Sequence, residues 1–168
     1  MSTETENGEE GSKPLKAKKA VAAVEGIWGK DVASHGYAAV PSVLIRGQRR
    51  IGISPTQLNI IVQLLDYWRD PARKPFPSKR DLANRMGVTQ KTVQNNIREL
   101  EKKGLVQREF RKTIAGDYNS NVYHLDGLVE QVRLLEPEFE AERVKRREKA
   151  KQRRTAETPP HLREEAAA

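Results

Sequence analysis

Residues 76–105 read FPSKRDLANRMGVTQKTVQNNIRELEKKGL. Ser78 stands three residues before Asp81, the spacing of a capping box. The Ser78 hydroxyl can accept the free amide of Asp81, and the Asp81 carboxylate can reach back to the Ser78 amide. Leu82, Ala83 and Met86 then recur at helical spacing, and Gly87 follows where a left-handed terminal residue is favoured. A first helix is therefore predicted from Ser78 to Met86. Val88 is the apolar residue of a short turn, and Thr89 is suited to cap a second helix carrying Val93, Ile97 and Leu100 on one face. So tight a connection makes the helices cross steeply, packs their apolar faces together and turns the polar face of the second outward.

That outward face carries Gln90, Lys91, Gln94, Asn95 and Arg98, side chains that can read base edges or hold phosphate. No carboxylate stands among them. Glu99 and Glu101 come only near the C-terminal end, which lifts away from a groove in this geometry. A solvated polar face is the plain alternative, but the layout of the two helices favours a nucleic-acid partner. Lys91, Gln94, Asn95 and Arg98 are expected in the major groove, with Thr89 and Gln90 near a phosphate at the helix entrance.

The run Pro77, Ser78, Leu82, Ala83, Met86, Gly87, Val88, Thr89, Thr92, Val93, Ile97, Leu100, Gly104, Leu105, followed by Asn121, Val122, Tyr123 and Leu125, resembles the winged helix-turn-helix domains of bacterial, plasmid and phage DNA-binding proteins. The resemblance covers roughly residues 36 to 126. It is similar in flavour to the domain of small regulators and of the N-terminal part of plasmid or phage replication proteins. It implies a mainly α fold with a small β-hairpin wing, flanked by flexible tails. It also implies sequence-specific binding of double-stranded DNA without a cofactor, foremost as a transcriptional regulator. A replication initiator or loading factor of a mobile element, and a non-catalytic protein-interaction module, are the alternatives, with the replication or transcription machinery as further partners.

Composition suits such a protein. The chain has 168 residues, of which 36% are hydrophobic and 32% charged, enough apolar material for one modest core. It has no cysteine, so disulfides and thiolate metal sites are excluded. The opening MSTETENGEEGS lacks a signal-peptide core and no later stretch has the length of a membrane span, so a cytoplasmic protein with no membrane partner is expected. A formal charge of +8 favours polyanions.

The flanks divide the chain further. Residues 1–35 are expected to be a mostly disordered arm, acidic at first and then basic through Lys13, Lys16, Lys18 and Lys19 before AVAAV, which reads foremost as a solubilising tail and otherwise as a short helix or a flexible arm that tracks phosphate. Trp28 is expected to pack onto the domain. Within residues 36–126, Pro41 can open a short helix, and Arg46, Arg49 and Arg50 form a cationic cluster that either touches the DNA backbone or is solvated. Ser54, Pro55 and Gln57 form a second capping arrangement for a helix through Trp68, packed through Leu58, Ile61, Val62, Leu64, Leu65 and Trp68. Phe76 is expected to seal the core, and His124 has no visible partner.

Leu105 to Lys112 and Asn121 to Leu125 read as two strands around Gly116 and Asp117, a wing on which Arg108, Arg111 and Lys112 could contact phosphate. Charged residues on such a hairpin also serve to protect an exposed edge. Residues 127–154 read as an amphipathic and then basic helical extension. Leu128, Val132, Leu135 and Phe139 form a stripe that either packs on its own domain or pairs two subunits as a homodimer, with a break or kink at Pro137. RVKRREKAKQRR at 143–154 could follow DNA, bind RNA or stay solvated, with phosphate binding favoured by its sign. Residues 155–168 are expected to be a disordered tail. No phosphate loop, zinc motif or nucleophile elbow is present, and His35, His124 and His161 are scattered, so no enzymatic activity is expected.

Overall fold

The computed structural model describes residues 13–110 and 121–157, with side chains over 21–110 and 121–153. The wing cations Arg111 and Lys112, the acidic start and the tail beyond 157 lie outside the described residues. The chain divides into two units, residues 1–38 and 39–168. The first contains α1 (Lys13–Trp28) and α2 (Lys30–Ser34), joined at Gly29. Part of the expected arm is thus helical, as its Lys- and Ala-rich composition allows. Within this unit Trp28 is 65% exposed, beside exposed Ile27 and Val32.

The second unit begins with α3 (Ser42–Arg46) and α4 (Gln48–Ile51), followed by α5 (Pro55–Tyr67), α6 (Lys79–Met86) and α7 (Gln90–Lys102). A two-stranded antiparallel hairpin follows, β1 (Gln107–Glu109) and β2 (Val122–His124), with Arg108 opposite Tyr123, and α8 (Asp126–Glu157) closes the unit. This is a winged helix-turn-helix, mainly α with a small β-hairpin. Its core gathers Leu44 from α3, Ile60, Ile61 and Leu64 from α5, Leu82 from α6, Val93, Ile97 and Leu100 from α7, and Tyr123, Leu125 and Leu128 from the hairpin and the helix after it. Ile60 belongs to this core beside the expected residues of α5, because its position joins Leu64 one turn on.

Local chemistry starts α5, α6 and α7 where the sequence puts them. Ser54 and Gln57 form a complete capping box, the Ser54 hydroxyl accepting the Gln57 amide at 3.2 Å and the Gln57 carbonyl oxygen accepting the Ser54 amide at 3.0 Å. On α6 the Ser78 hydroxyl accepts the Asp81 amide at 3.0 Å and donates to the Asp81 carboxylate at 2.6 Å. That hydroxyl is the chief reason the Asp81 carboxyl is held below its ordinary pKa. Gly87 ends α6 at φ 65°, a left-handed conformation that a side chain would strain, and Thr89 caps α7 by accepting the Thr92 amide.

Three expectations change in the second unit. Phe76 does not seal the core: it is 47% exposed, and the neighbouring Pro75 and Pro77 are buried instead. His124 has partners, Glu109 at 3.1 Å and Asp126 at 4.0 Å, since strand pairing and the start of α8 bring both carboxylates to it. Pro137 does not break α8, which runs through it as one 32-residue helix. Turns on both sides of the proline are anchored: Leu135 and Phe139 lie against Gly47, while Arg50 bridges Glu138 at 3.1 Å and Glu142 at 2.5 Å and stacks on the Phe139 ring. The stripe Leu128, Val132, Leu135, Phe139 packs on its own domain, one of the two alternatives its spacing offered, with Leu128 2% exposed.

Candidate nucleic-acid interface

Helix α7 is amphipathic to a degree that fixes its orientation: Val93, Ile97 and Leu100 are fully buried, so the opposite side must face solvent. Gln90, Lys91, Asn95 and Arg98 are exposed there and Gln94 is half-buried. Lys91, Asn95 and Arg98 follow at i, i+4 and i+7, which places them in one row along the helix. Lys102 continues this row at i+11 and is exposed, a residue that the same periodicity could have singled out. Among the described residues no hydrogen bond or ion pair engages the side chains of Gln90, Lys91, Gln94, Asn95 or Arg98. Thr89, by contrast, is a cap: besides the Thr92 amide, its hydroxyl contacts the Thr92 hydroxyl at 2.9 Å.

The two carboxylates of α7 are each engaged by a neighbouring side chain of the domain. Glu99 accepts a 2.6 Å hydrogen bond from the Gln57 amide nitrogen, and Gln57 is itself only 2% exposed. Lys103 donates to the Gln57 carbonyl oxygen at 3.3 Å and to the Gly52 carbonyl. One buried amide therefore joins the start of α5 to the end of α7. Glu101 is gripped by Arg108, which donates from Nε at 2.7 Å and from Nη2 at 2.6 Å. Fixing both acids in this way leaves an outward face with cations and amides alone, the set that suits phosphate and base edges.

Arg108 must be reassigned on this geometry. It was expected to reach phosphate from the wing, but its side chain is only 10% exposed and its charge is paired bidentately with Glu101, which also raises its pKa. It is a strut between wing and α7. The wing is tied down on its other strand as well, where the Tyr123 amide donates to the Pro75 carbonyl at 2.8 Å and the Tyr123 side chain is fully buried. Of the cationic cluster on α3 and α4, Arg46, Arg49 and Arg50 are all exposed, and Arg50 is engaged with Glu138 and Glu142.

The turn between the helices is held from behind. Arg85 of α6 pairs with Asp66 of α5 at 2.9 Å and lies over the Tyr67 ring, while the Val88 amide donates to the Ala83 carbonyl. Both helices of the pair are thus braced on α5, so the outward row of α7 is presented on a rigid support. Among the described residues, no group of His, Asp and Glu is placed to hold a metal ion and no helix is long and apolar enough to cross a membrane.

Residues 52–106 match the family model of a helix-turn-helix domain. Among solved structures, the chain is similar to a possible transcriptional regulator from Methanosarcina mazei Go1, with 18% identity, a TM-score of 0.40 and coverage of 61% of this chain and 82% of that one. No significant match is found among curated proteins.

Proposed function

We propose that this chain, which carries a helix-turn-helix domain at residues 52–106, is a transcriptional regulator that binds double-stranded DNA in a sequence-specific manner through α7. Lys91, Gln94, Asn95 and Arg98 enter the major groove, and Thr89 and Gln90 sit at the helix entrance near a phosphate. The observation that carries this reading is the sorting of charge on α7. Its acids are engaged by Gln57 and Arg108, and among the described residues its outward row has unpaired cations and amides. Amides suit adenine edges and Arg or Lys suits guanine, so the row has the donors and acceptors for base readout rather than charge alone. The hairpin braces α7 through Arg108, and Arg111 and Lys112 add phosphate contacts from the wing. No cofactor or catalytic step is needed.

The test is selection of bound duplexes from a random library at near-physiological salt, followed by sequencing. A defined motif located upstream of genes is the expected result. Recovery of the motif at a replication origin instead would replace regulation with initiation. Failure to enrich any sequence would remove base readout by α7.

A further inference from the structure

The C-terminal half of α8 is left unexplained by the reading above. Up to Phe139 the helix is anchored on α3 and α4. From Ala141 through Arg153 every residue is exposed, yet the helix continues without interruption to Glu157. The Arg50 bridge to Glu138 and Glu142 sits at the point of departure, so the exposed half leaves the domain as a fixed continuation rather than a loose tail. Charge changes abruptly there. Glu136, Glu138, Glu140 and Glu142 precede a segment with Arg143, Lys145, Arg146, Arg147, Lys149, Lys151 and Arg153 against the single acid Glu148. Arg143 is neutralised by Glu140 at 2.7 Å, and the Glu138 and Glu142 carboxylates are held by Arg50.

We infer that this exposed half of α8 is a rigid, sequence-independent phosphate-binding rod that engages the backbone of duplex DNA. Its chemistry selects this occupant. Lys145, Arg146, Arg147, Lys149 and Arg153 spread over about 200° of the helix circumference at about 100° per residue, a cationic side that suits a polyanion, and the remaining arc carries Val144, Glu148 and Gln152 rather than an apolar stripe. Val144 is the one large apolar residue between 141 and 153, which leaves no apolar face to enter a membrane surface or to seal a pair of these helices. A cationic rod of about 1.5 Å rise per residue meets the regular spacing of phosphates and releases their counterions. The inference draws its choice of duplex DNA from the proposed role of α7, and its test separates the two.

Lys145→Gln, Arg146→Gln, Arg147→Gln and Lys149→Gln are combined in the full chain, keeping good helix formers at exposed positions. Circular dichroism should be unchanged. Affinity for the selected duplex, a random duplex and an RNA duplex is then measured against salt. The slope of log K against log salt should fall by about 0.9 for each phosphate lost, hence by roughly 2–4, equally on the selected and random DNA, with site preference kept. An unchanged slope on DNA overturns the rod while α7 readout stands. Loss confined to RNA overturns the choice of DNA. A full chain that binds duplex without selecting any site, but loses slope in the fourfold variant, keeps the rod and removes the reading of α7.

Discussion

Gly127→Ala should destabilise the protein, against the ordinary effect of that substitution in a helix. Gly127 lies in the first turn of α8, where a Cβ would fall 1.9 Å from the Gly104 carbonyl oxygen and 3.1 Å from its carbon. Both neighbours are backbone, so no side chain can rotate aside, and the two segments would have to part by roughly 1.5 Å to restore ordinary contact. The displaced turn also carries Leu128, whose amide donates to the Leu105 carbonyl at 3.1 Å and whose side chain is buried with Leu105. Overpacking of this kind costs about 1–3 kcal/mol, here at the upper end, while the gain from replacing glycine in a helix is at most about 1 kcal/mol. The net loss is about 2 kcal/mol, or a fall in Tm of roughly 6–10 °C for a unit of this size. Thermal unfolding followed by circular dichroism gives the answer. Gly26→Ala in α1, where nothing lies within 4 Å of the new Cβ, is the control and should lower no transition. A Tm for Gly127→Ala equal to or above the parent would refute the close approach of α8 to the turn after α7.

Gln94→Ala or Asn95→Ala should weaken the selected duplex by about 1–3 kcal/mol more than random DNA, read by titration on both; equal losses would remove base contact by these amides. Gln57→Leu should lower stability by about 1–3 kcal/mol in denaturant melts, since it strips a donor from the Glu99 carboxylate and an acceptor from the Ser54 amide, and an unchanged midpoint would refute its role as the joint of α5 and α7. Ser78→Ala should cost about 1 kcal/mol through loss of the α6 cap. Asp126, whose carboxyl is held low chiefly by the Lys74 ammonium at 2.8 Å, contributes stability above the unfolded carboxylate range of about pH 4 and loses it as pH falls through the lower folded value. The Tm gap between the parent and Asp126→Asn should therefore be open at neutral pH and close below about pH 4; a gap constant across that range would contradict the ion pair.

The candidate site was legible in the sequence as far as the helix face goes. Val93, Ile97 and Leu100 fix which side of α7 is buried, and helical periodicity then assigns Lys91, Asn95 and Arg98 to the other side. Arg108 was not legible in that way. A cation on a short strand can serve phosphate or a carboxylate equally well, and only the packing of the hairpin on α7 places Glu101 within reach of both its donor groups.

The sequence by itself determined where helices begin and end: Ser54 with Gln57, Ser78 with Asp81, Thr89 with Thr92 and Gly87 after Met86 act across three residues or fewer, so the covalent chain brings the partners together. Tertiary structure alone decided the joints between elements. Gln57 meets Glu99 across 42 residues, Arg50 meets Glu138 and Glu142 across 88 and 92, and Gly127 meets Gly104 backbone to backbone. The continuity of α8 through Pro137 belongs with these, because anchors on either side hold the helix where local propensity alone would break it. Each such joint depends on which surfaces the buried core has already brought into contact, and residue type leaves the choice of partner open until packing makes it.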